Sequence, residues 1–334
     1  ILNALDDRPW LAKRSHVALE KGFLQRTIWQ CFRLSKAARD SECKVLFVPG
    51  SSYIGNFHPV VTMSQNLLPF EMSELRRYGW TLLALKLLLL RITQSHTFKS
   101  TDGVIFLTKY ALDAVLKVTG KFRGQTCIVP HGLNPRFKMA PKLQRDIASY
   151  DDTHPYHVLY ISIIDQYKHQ WNVVEAVAAL RKQGLPIVLD LVGPAYPPAL
   201  QRLNATIERV DADRRWVHYH GAIAFNELHL RYALADLGLF ASSCENMPNI
   251  LLETMAAGLP IACSSMGPMP EILENAGVYF DPESPEEIAK ALITIIKDHA
   301  LRAKIARESF NQAKQYSWER CAKETFSFLA QIAL

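Results

Sequence analysis

The residues with the clearest chemical potential lie in one stretch, ASSCENMPNILLETMAAGLPIACSSMGPMPE at 241–271. Glu245 stands in a loop, and Glu253 follows eight residues later in a helix. Between them, Pro248 suits a helix start, where its missing N–H has no intrahelical partner. The helix is expected over 249–257, with Gly258 and Pro260 as its stop signal. The open N–H groups of a first turn and the positive end of the helix dipole bind anions, phosphate above all. Asn246, Met247, Pro248, Asn249 and Ile250 form that start. Carboxylates beside it repel phosphate but accept hydrogen bonds from hydroxyls. A ligand with phosphate in its middle and hydroxyls at both ends has the form of a nucleotide sugar. Taken alone, two such glutamates are more often a surface residue and a helix residue, so the flanks have to decide.

The elements that position this unit alternate regularly through the second half. Strands are expected at 157–163, 187–192, 217–220, 236–242, 261–264 and 278–280, with helices at 171–182, 198–210, 226–235 and 249–257 between them. Helices follow at 285–297 and 300–314, and a last one runs from 318 to about 333. Such alternation argues a parallel sheet covered on both faces, a Rossmann-like domain.

The first half opens with a Lys- and Arg-rich helical stretch at 8–38, then strands at 44–49, 60–64, 103–107 and 126–129 and a helix at 109–118. Gln65 and Asn66 follow the second strand at its carboxyl end, where open parallel sheets bind ligands, although an ordinary strand–helix turn accounts for them equally well. A long helix at 71–99 contains LLALKLLLL among Arg76, Arg77, Lys86, Arg91 and Lys99. It is read as buried against the sheet, with a membrane-surface helix as the alternative. PHGLNP at 130–135 breaks the pattern and marks a boundary, giving domains at 1–134 and 135–316 and a terminal helix at 317–334.

ENMPNILLE followed by TMAAGLPI resembles the E-x7-E signature of retaining family-four glycosyltransferases, which have the GT-B fold. A strand ending in Ser-Ser, the Ala-Gly-x-Pro after the helix, GPMPE at 267–271 in the loop expected after the 261–264 strand, and GVYF at 277–280 fit the same pattern. The resemblance implies an α/β protein of two Rossmann-like domains facing a cleft. The first would take the acceptor and the second the nucleotide sugar, with the last helix packing back on the first. Glu253 would hold the ribose hydroxyls and Glu245 the transferred sugar near the reacting carbon. Lys168, just beyond the first strand of the second domain, would meet the diphosphate, with His169 beside it. Gly193 and Gly221 end neighbouring strands on the same rim, Gly221 passing close to the nucleotide base. Gln65, Asn66 and His131 would lie on the acceptor side, His131 with hinge packing as its alternative.

One position departs from the family. Ile163 stands where an arginine usually faces the diphosphate. No convincing strand precedes residue 44, so the first domain is expected to lack its opening strands. The implied function is sugar transfer, with retention, from a UDP- or GDP-sugar to a glycan or lipid-linked acceptor in cell-surface polysaccharide synthesis. A catalytically impaired nucleotide-sugar-binding partner is the alternative, supported by Ile163 and the short first domain. The family implies no metal and no cofactor, the nucleotide sugar being a substrate.

Composition and other motifs exclude rival classes. The 334 residues are 49% hydrophobic and 21% charged, in keeping with two ordinary globular domains. A net charge of +6 suits an anionic ligand or membrane surface and is too small to argue for nucleic acid. The six cysteines form no C-x-x-C pair and read as thiols of a reducing compartment, so the expected location is cytoplasmic. The lipid-linked acceptor that the resemblance implies adds the inner face of the membrane as an option. No dinucleotide G-x-G-x-x-G or P-loop motif occurs. Asp211 and Asp213 have D-x-D spacing but are read as solvated surface. His218 and His220 share a strand face, yet without a third ligand they are read as packing or cleft residues.

Overall fold

The structure is a computed structural model and describes residues 5–334. The first four residues of the expected 1–134 domain lie outside the described residues. Three short helices come first, α1 (Val17–Glu20), α2 (Phe23–Phe32) and α3 (Leu34–Asp40), in place of one continuous helical stretch at 8–38. Strands β1 (Leu46–Val48), β2 (Val60–Met63), β3 (Gly103–Phe106) and β4 (Gln125–Ile128) then form a parallel sheet in that order. Helices α4 (Met72–Arg76) and α5 (Leu82–Ser100) lie between β2 and β3, and α6 (Lys109–Thr119) lies between β3 and β4.

The second sheet has six parallel strands in the order β10-β9-β8-β5-β6-β7. They are β5 (Tyr156–Ile161), β6 (Ile187–Val192), β7 (Val217–Tyr219), β8 (Leu237–Phe240), β9 (Ile261–Ser264) and β10 (Val278–Phe280). The helices that link and cover them are α7 (Gln170–Lys182), α8 (Pro197–Val210), α9 (Leu228–Leu234), α10 (Asn249–Ala256), α11 (Met269–Leu273), α12 (Pro285–Lys297) and α13 (His299–Ala313). Every residue of β8 and β9 is buried, as an apolar run covered on both faces requires. The last helix, α14 (Trp318–Ala333), starts from the Ser317 side chain as its cap and packs on β2 and β3. Phe328 of that helix fills the space that the missing side chain of Gly103 leaves open.

Strand order positions the site. The chain enters this sheet at β5, builds outward to β6 and β7, then returns to lay β8 on the other side of β5. The loops after β5 and β8 therefore diverge from neighbouring strand ends, and such a switch point is where open α/β sheets bind ligands. Lys168 is carried by the first loop and Glu245 by the second.

The structure corrects four expectations. The helix at 71–99 is two helices, because Gly79 takes φ +58° and Thr81 caps a new start by accepting a hydrogen bond from Ala84 N at 3.2 Å. The second of these is not simply buried. Its apolar residues run all round the helix and only Ala84, Leu87 and Phe98 among them reach the interior, which leaves Leu82, Leu85, Leu88, Leu89 and Ile92 exposed. Residues 267–271, expected as a loop, lead into α11. Asp211 is buried rather than solvated and accepts hydrogen bonds from the backbone of Arg215, Trp216 and Val217, pinning the start of β7, while Asp213 is exposed beside Arg215.

Candidate active site

A cavity of about 330 Å³ opens where the strand ends of the two sheets face each other. Gln65, Asn66, Leu67 and Leu68 line it from the loop after β2, and Leu107 and His131 from beyond β3 and β4. Tyr167 lines it from the loop after β5, and Cys244, Glu245, Asn246, Met247 and Asn249 from the loop after β8. Seven residues singled out from the sequence thus share one wall-to-wall space, although 180 positions separate Gln65 from Glu245.

Lys168 Nζ is ion-paired with Glu245 Oε1. Lys168 is only 5% exposed, and its ammonium lies 4.9 Å from the Tyr167 ring centroid and 5.3 Å from that of Phe240. A lysine so deep needs a carboxylate partner, since an unpaired buried charge is costly. The loop that carries it is set by Asp165, whose Oδ1 accepts from Gln166 N at 2.7 Å and from Tyr78 O–H at 2.8 Å, and whose burial raises its pKa. The Ser243 N–H donates to Tyr167 O at 2.9 Å and ties the two site loops together.

His169 sits at left-handed φ +51°, buried, with Nε2 2.9 Å from Ser243 Oγ. Burial, and then the nearby charges of Arg77 and Arg202, push its pKa down to about 3. It is a neutral imidazole at physiological pH, so beside Lys168 it offers hydrogen bonds and no charge. Ile163 lies two residues beyond β5, 36% exposed.

The start of α10 follows Glu245. Pro248 is its N-cap rather than its first residue, and no side chain caps the first turn. Asn249 N already donates to Met247 O at 2.9 Å, so the amides of Ile250 and Leu251 are the ones left open to a ligand, while the Ile250 side chain packs against the core. Asn246 bridges the two halves, its Nδ2 donating to Ser64 Oγ at 3.1 Å and its carbonyl accepting from Thr108 Oγ1 at 3.0 Å. Asn246 Oδ1 is buried and finds no hydrogen-bond partner among the described residues. His131 Nδ1 lies 3.2 Å from Asn249 Oδ1, and its ring lies 5.6 Å from that of Trp318, so this residue lines the cavity and packs at the junction at once.

Lys168, His169, Pro248 and Ile250 flank this cavity without lining it, and Glu253, Gly193 and Gly221 stand apart from it. Glu253, one turn along α10, faces α9, where its Oε2 accepts from Tyr232 O–H at 3.2 Å. Burial raises its pKa to about 7. Gly193 and Gly221 meet beyond β6 and β7, with Gly193 N donating to Gly221 O at 2.8 Å. Gly193 has φ +145°, and a Cβ there would stand 2.1 Å from Ser162 O, so only glycine fits.

Several site residues escaped sequence reasoning. Tyr167 and Cys244 line the cavity beside residues that were named. Glu271 accepts from Lys109 N and Tyr110 N, both at 2.8 Å, and so closes the open end of α6 from the opposite half. Glu271 was legible as part of GPMPE, but nothing in the sequence indicated a partner 162 residues away.

Residues 155–298 match the family described as Glycosyl transferases group 1. The chain is 30% identical over 231 residues to O-antigen chain mannosyltransferase B of Escherichia coli, covering 68% of this chain and 57% of that protein. It is 25% identical over 267 residues to the GDP-mannose-dependent alpha-(1-6)-phosphatidylinositol monomannoside mannosyltransferase of Mycobacterium tuberculosis, covering 75% of this chain and 66% of that one. Both matches span less than two thirds of the relative's length. Sucrose-phosphate synthase from Thermosynechococcus elongatus superposes with a TM-score of 0.70 at 18% identity, covering 89% of this chain and 76% of that one. The chain thus has the GT-B fold, and its residues 155–298 are similar to the group 1 glycosyltransferases.

Proposed function

We propose that this chain is a retaining glycosyltransferase of polysaccharide or glycolipid synthesis, drawing on a GDP- or UDP-sugar and acting on a glycan or lipid-linked acceptor. The observation that carries the reading is the buried Lys168–Glu245 pair at the switch point, beside a cavity shared by both halves. The open first turn of α10 and Lys168 are suited to the leaving diphosphate, which would draw Lys168 partly away from Glu245. Glu245, so released, is an acceptor for hydroxyls of the transferred sugar. Gln65, Asn66 and His131 face the same space from the other half, where an acceptor hydroxyl has to arrive. Both relatives are named as mannosyltransferases, which supports mannose as the sugar and GDP-mannose as the first donor to test.

No metal is given a part in this chemistry. An acceptor held at a membrane surface would meet the exposed leucines of α5, a helix that carries Lys86, Arg91 and Lys99 and no acidic residue. No helix among the described residues is long and apolar enough to cross a membrane.

The test is a panel of GDP-, UDP-, ADP- and dTDP-sugars read by free-nucleotide release and by thermal shift, with Glu245→Gln as control. Turnover of one donor by the parent and not by the variant supports transfer. No response to any donor refutes the nucleotide-sugar reading. A second reading, a binding partner without activity, is favoured by Ile163 and by the engagement of Lys168 with Glu245, which leave few free cations for a diphosphate. Stabilisation by a donor without turnover, with glycan and lipid acceptors supplied, would decide for it.

A further inference from the structure

On the second sheet, three histidines surround one carboxylate. Asp190 of β6 has Oδ2 2.9 Å from His157 Nδ1, Oδ1 2.7 Å from His220 Nε2, and Oδ1 3.7 Å from His218 Nδ1. Register dictates the grouping. Asp190 pairs with Leu159 on one side and with His218 on the other. Register partners in a parallel sheet point to one face, as do residues two apart, so His157, Asp190, His218 and His220 converge there. Asp190 is the only charged residue in IVLDLV, where the strand's burial otherwise calls for an apolar side chain.

We propose that Asp190, His218 and His220 bind a divalent cation of the zinc class, with His157 holding Asp190 in place. Each of the three ligands offers one atom, and these atoms all lie within 4.8 Å of one another. Tetrahedral zinc, with bonds of about 2.0–2.1 Å, needs ligand atoms about 3.3 Å apart. The observed separations of 2.7 and 3.7 Å from Asp190 Oδ1 bracket that spacing, and the two imidazole nitrogens lie within 4.8 Å of each other. Two imidazoles and a carboxylate with an open fourth position suit zinc and its softer neighbours better than magnesium or calcium. His157, bonded to the second carboxylate oxygen, is the outer-shell group such ligands usually have. A cavity of about 160 Å³ beside His157 and Asp190 gives an entry path, although Arg231 on its wall opposes the ion's charge.

None of the four residues lines the Lys168–Glu245 cavity, so the site is separate from the transfer chemistry. Its consequence is mechanical. The ion would staple β7, a three-residue edge strand, to β6, immediately below the Gly193–Gly221 contact on the rim.

The experiment uses the full chain, stripped with a chelator and titrated with Zn²⁺ alone. Saturable binding of one ion, with a melting temperature that rises as the site fills, is expected. His218→Gln combined with His220→Gln should lose both while melting like the metal-free parent. His157→Gln should keep one site with an affinity about 10–100-fold weaker, and His154→Gln, at an exposed histidine, should bind like the parent. Should the double variant fail to fold, zinc-edge anomalous scattering from crystals soaked in Zn²⁺ decides, and a peak beside Asp190 is expected. Absence of stoichiometric binding, binding unchanged in the double variant, or a peak elsewhere overturns the proposal.

Discussion

Glu253→Gln tests the structure through a quantity that a merely solvated glutamate would not move. Glu253 is held off from water between α10 and α9, with Tyr232 as its one hydrogen-bond donor among the described residues. Burial lifts its pKa from an ordinary 4.5 to about 7. Between these values the folded chain keeps a proton that the unfolded chain has lost. Stability contributed by this group is complete below pH 4.5, falls as pH rises and is gone above about pH 7. Such a rise is worth about 3 kcal/mol as an upper figure. A neutral amide in place of the carboxyl carries no such dependence. The variant should therefore gain up to about 3 kcal/mol on the parent between pH 4.5 and pH 8. Urea denaturation at several pH values, read by circular dichroism, measures the difference. A parent–variant difference that stays constant with pH, or one that turns against the variant as pH rises, refutes the reasoning. Ribose hydroxyls donating to Glu253 would stabilise its carboxylate, so donor binding near pH 6.5 should release protons. Calorimetry in two buffers of different ionisation enthalpy detects that release, and Glu253→Gln should abolish it.

The remaining predictions concern the charges and the exposed face. Lys168→Met or Glu245→Gln alone should cost about 3–5 kcal/mol, because each disrupts a buried charge pair. The double variant should cost clearly less than the sum, which a denaturation cycle measures; simple additivity would show that the pair does not couple. Ile163→Arg places a guanidinium at a half-exposed position in the loop just after β5, so it should tighten donor affinity by about tenfold or more and move stability by only about 0.5 kcal/mol. Unchanged donor affinity by calorimetry would remove Ile163 from the account of the site. Leu85→Lys with Leu89→Lys should weaken co-sedimentation with anionic vesicles several-fold while leaving the melting temperature unchanged or higher. Binding of the parent no better than that of the variant would leave α5 without a membrane role.

The fold was legible because its signals are local and repeated. The strands of both sheets lie where apolar runs bounded by turn residues put them, with ends shifted by one or two residues. What failed was of another kind. The break at Gly79 rests on one left-handed residue within a helical composition, and the fate of the leucines of α5 depends on what the rest of the chain has left to cover. Composition showed an apolar helix; it could not show that only one stripe of it would find an interior.

The candidate site divides along the same line. Glu245, Asn246, Met247 and Asn249 lie within five positions, so a motif reveals them together. Lys168 could be named by its place after a strand, but its ion pair required the strand order, which the sequence does not state. The histidines at β7 show the cost of that gap most plainly. His218 and His220 lacked a third ligand only because Asp190 lies 28 residues before the nearer of them and reads, within IVLDLV, as a stray charge in an apolar strand. Placing β6 beside β7 turns two ordinary features into one cluster, and the same step, β5 beside β8, joins Lys168 to Glu245. Spacing along a sequence thus identifies ligands and charges within one loop or strand. Pairing between strands determines which of them can act on the same atom.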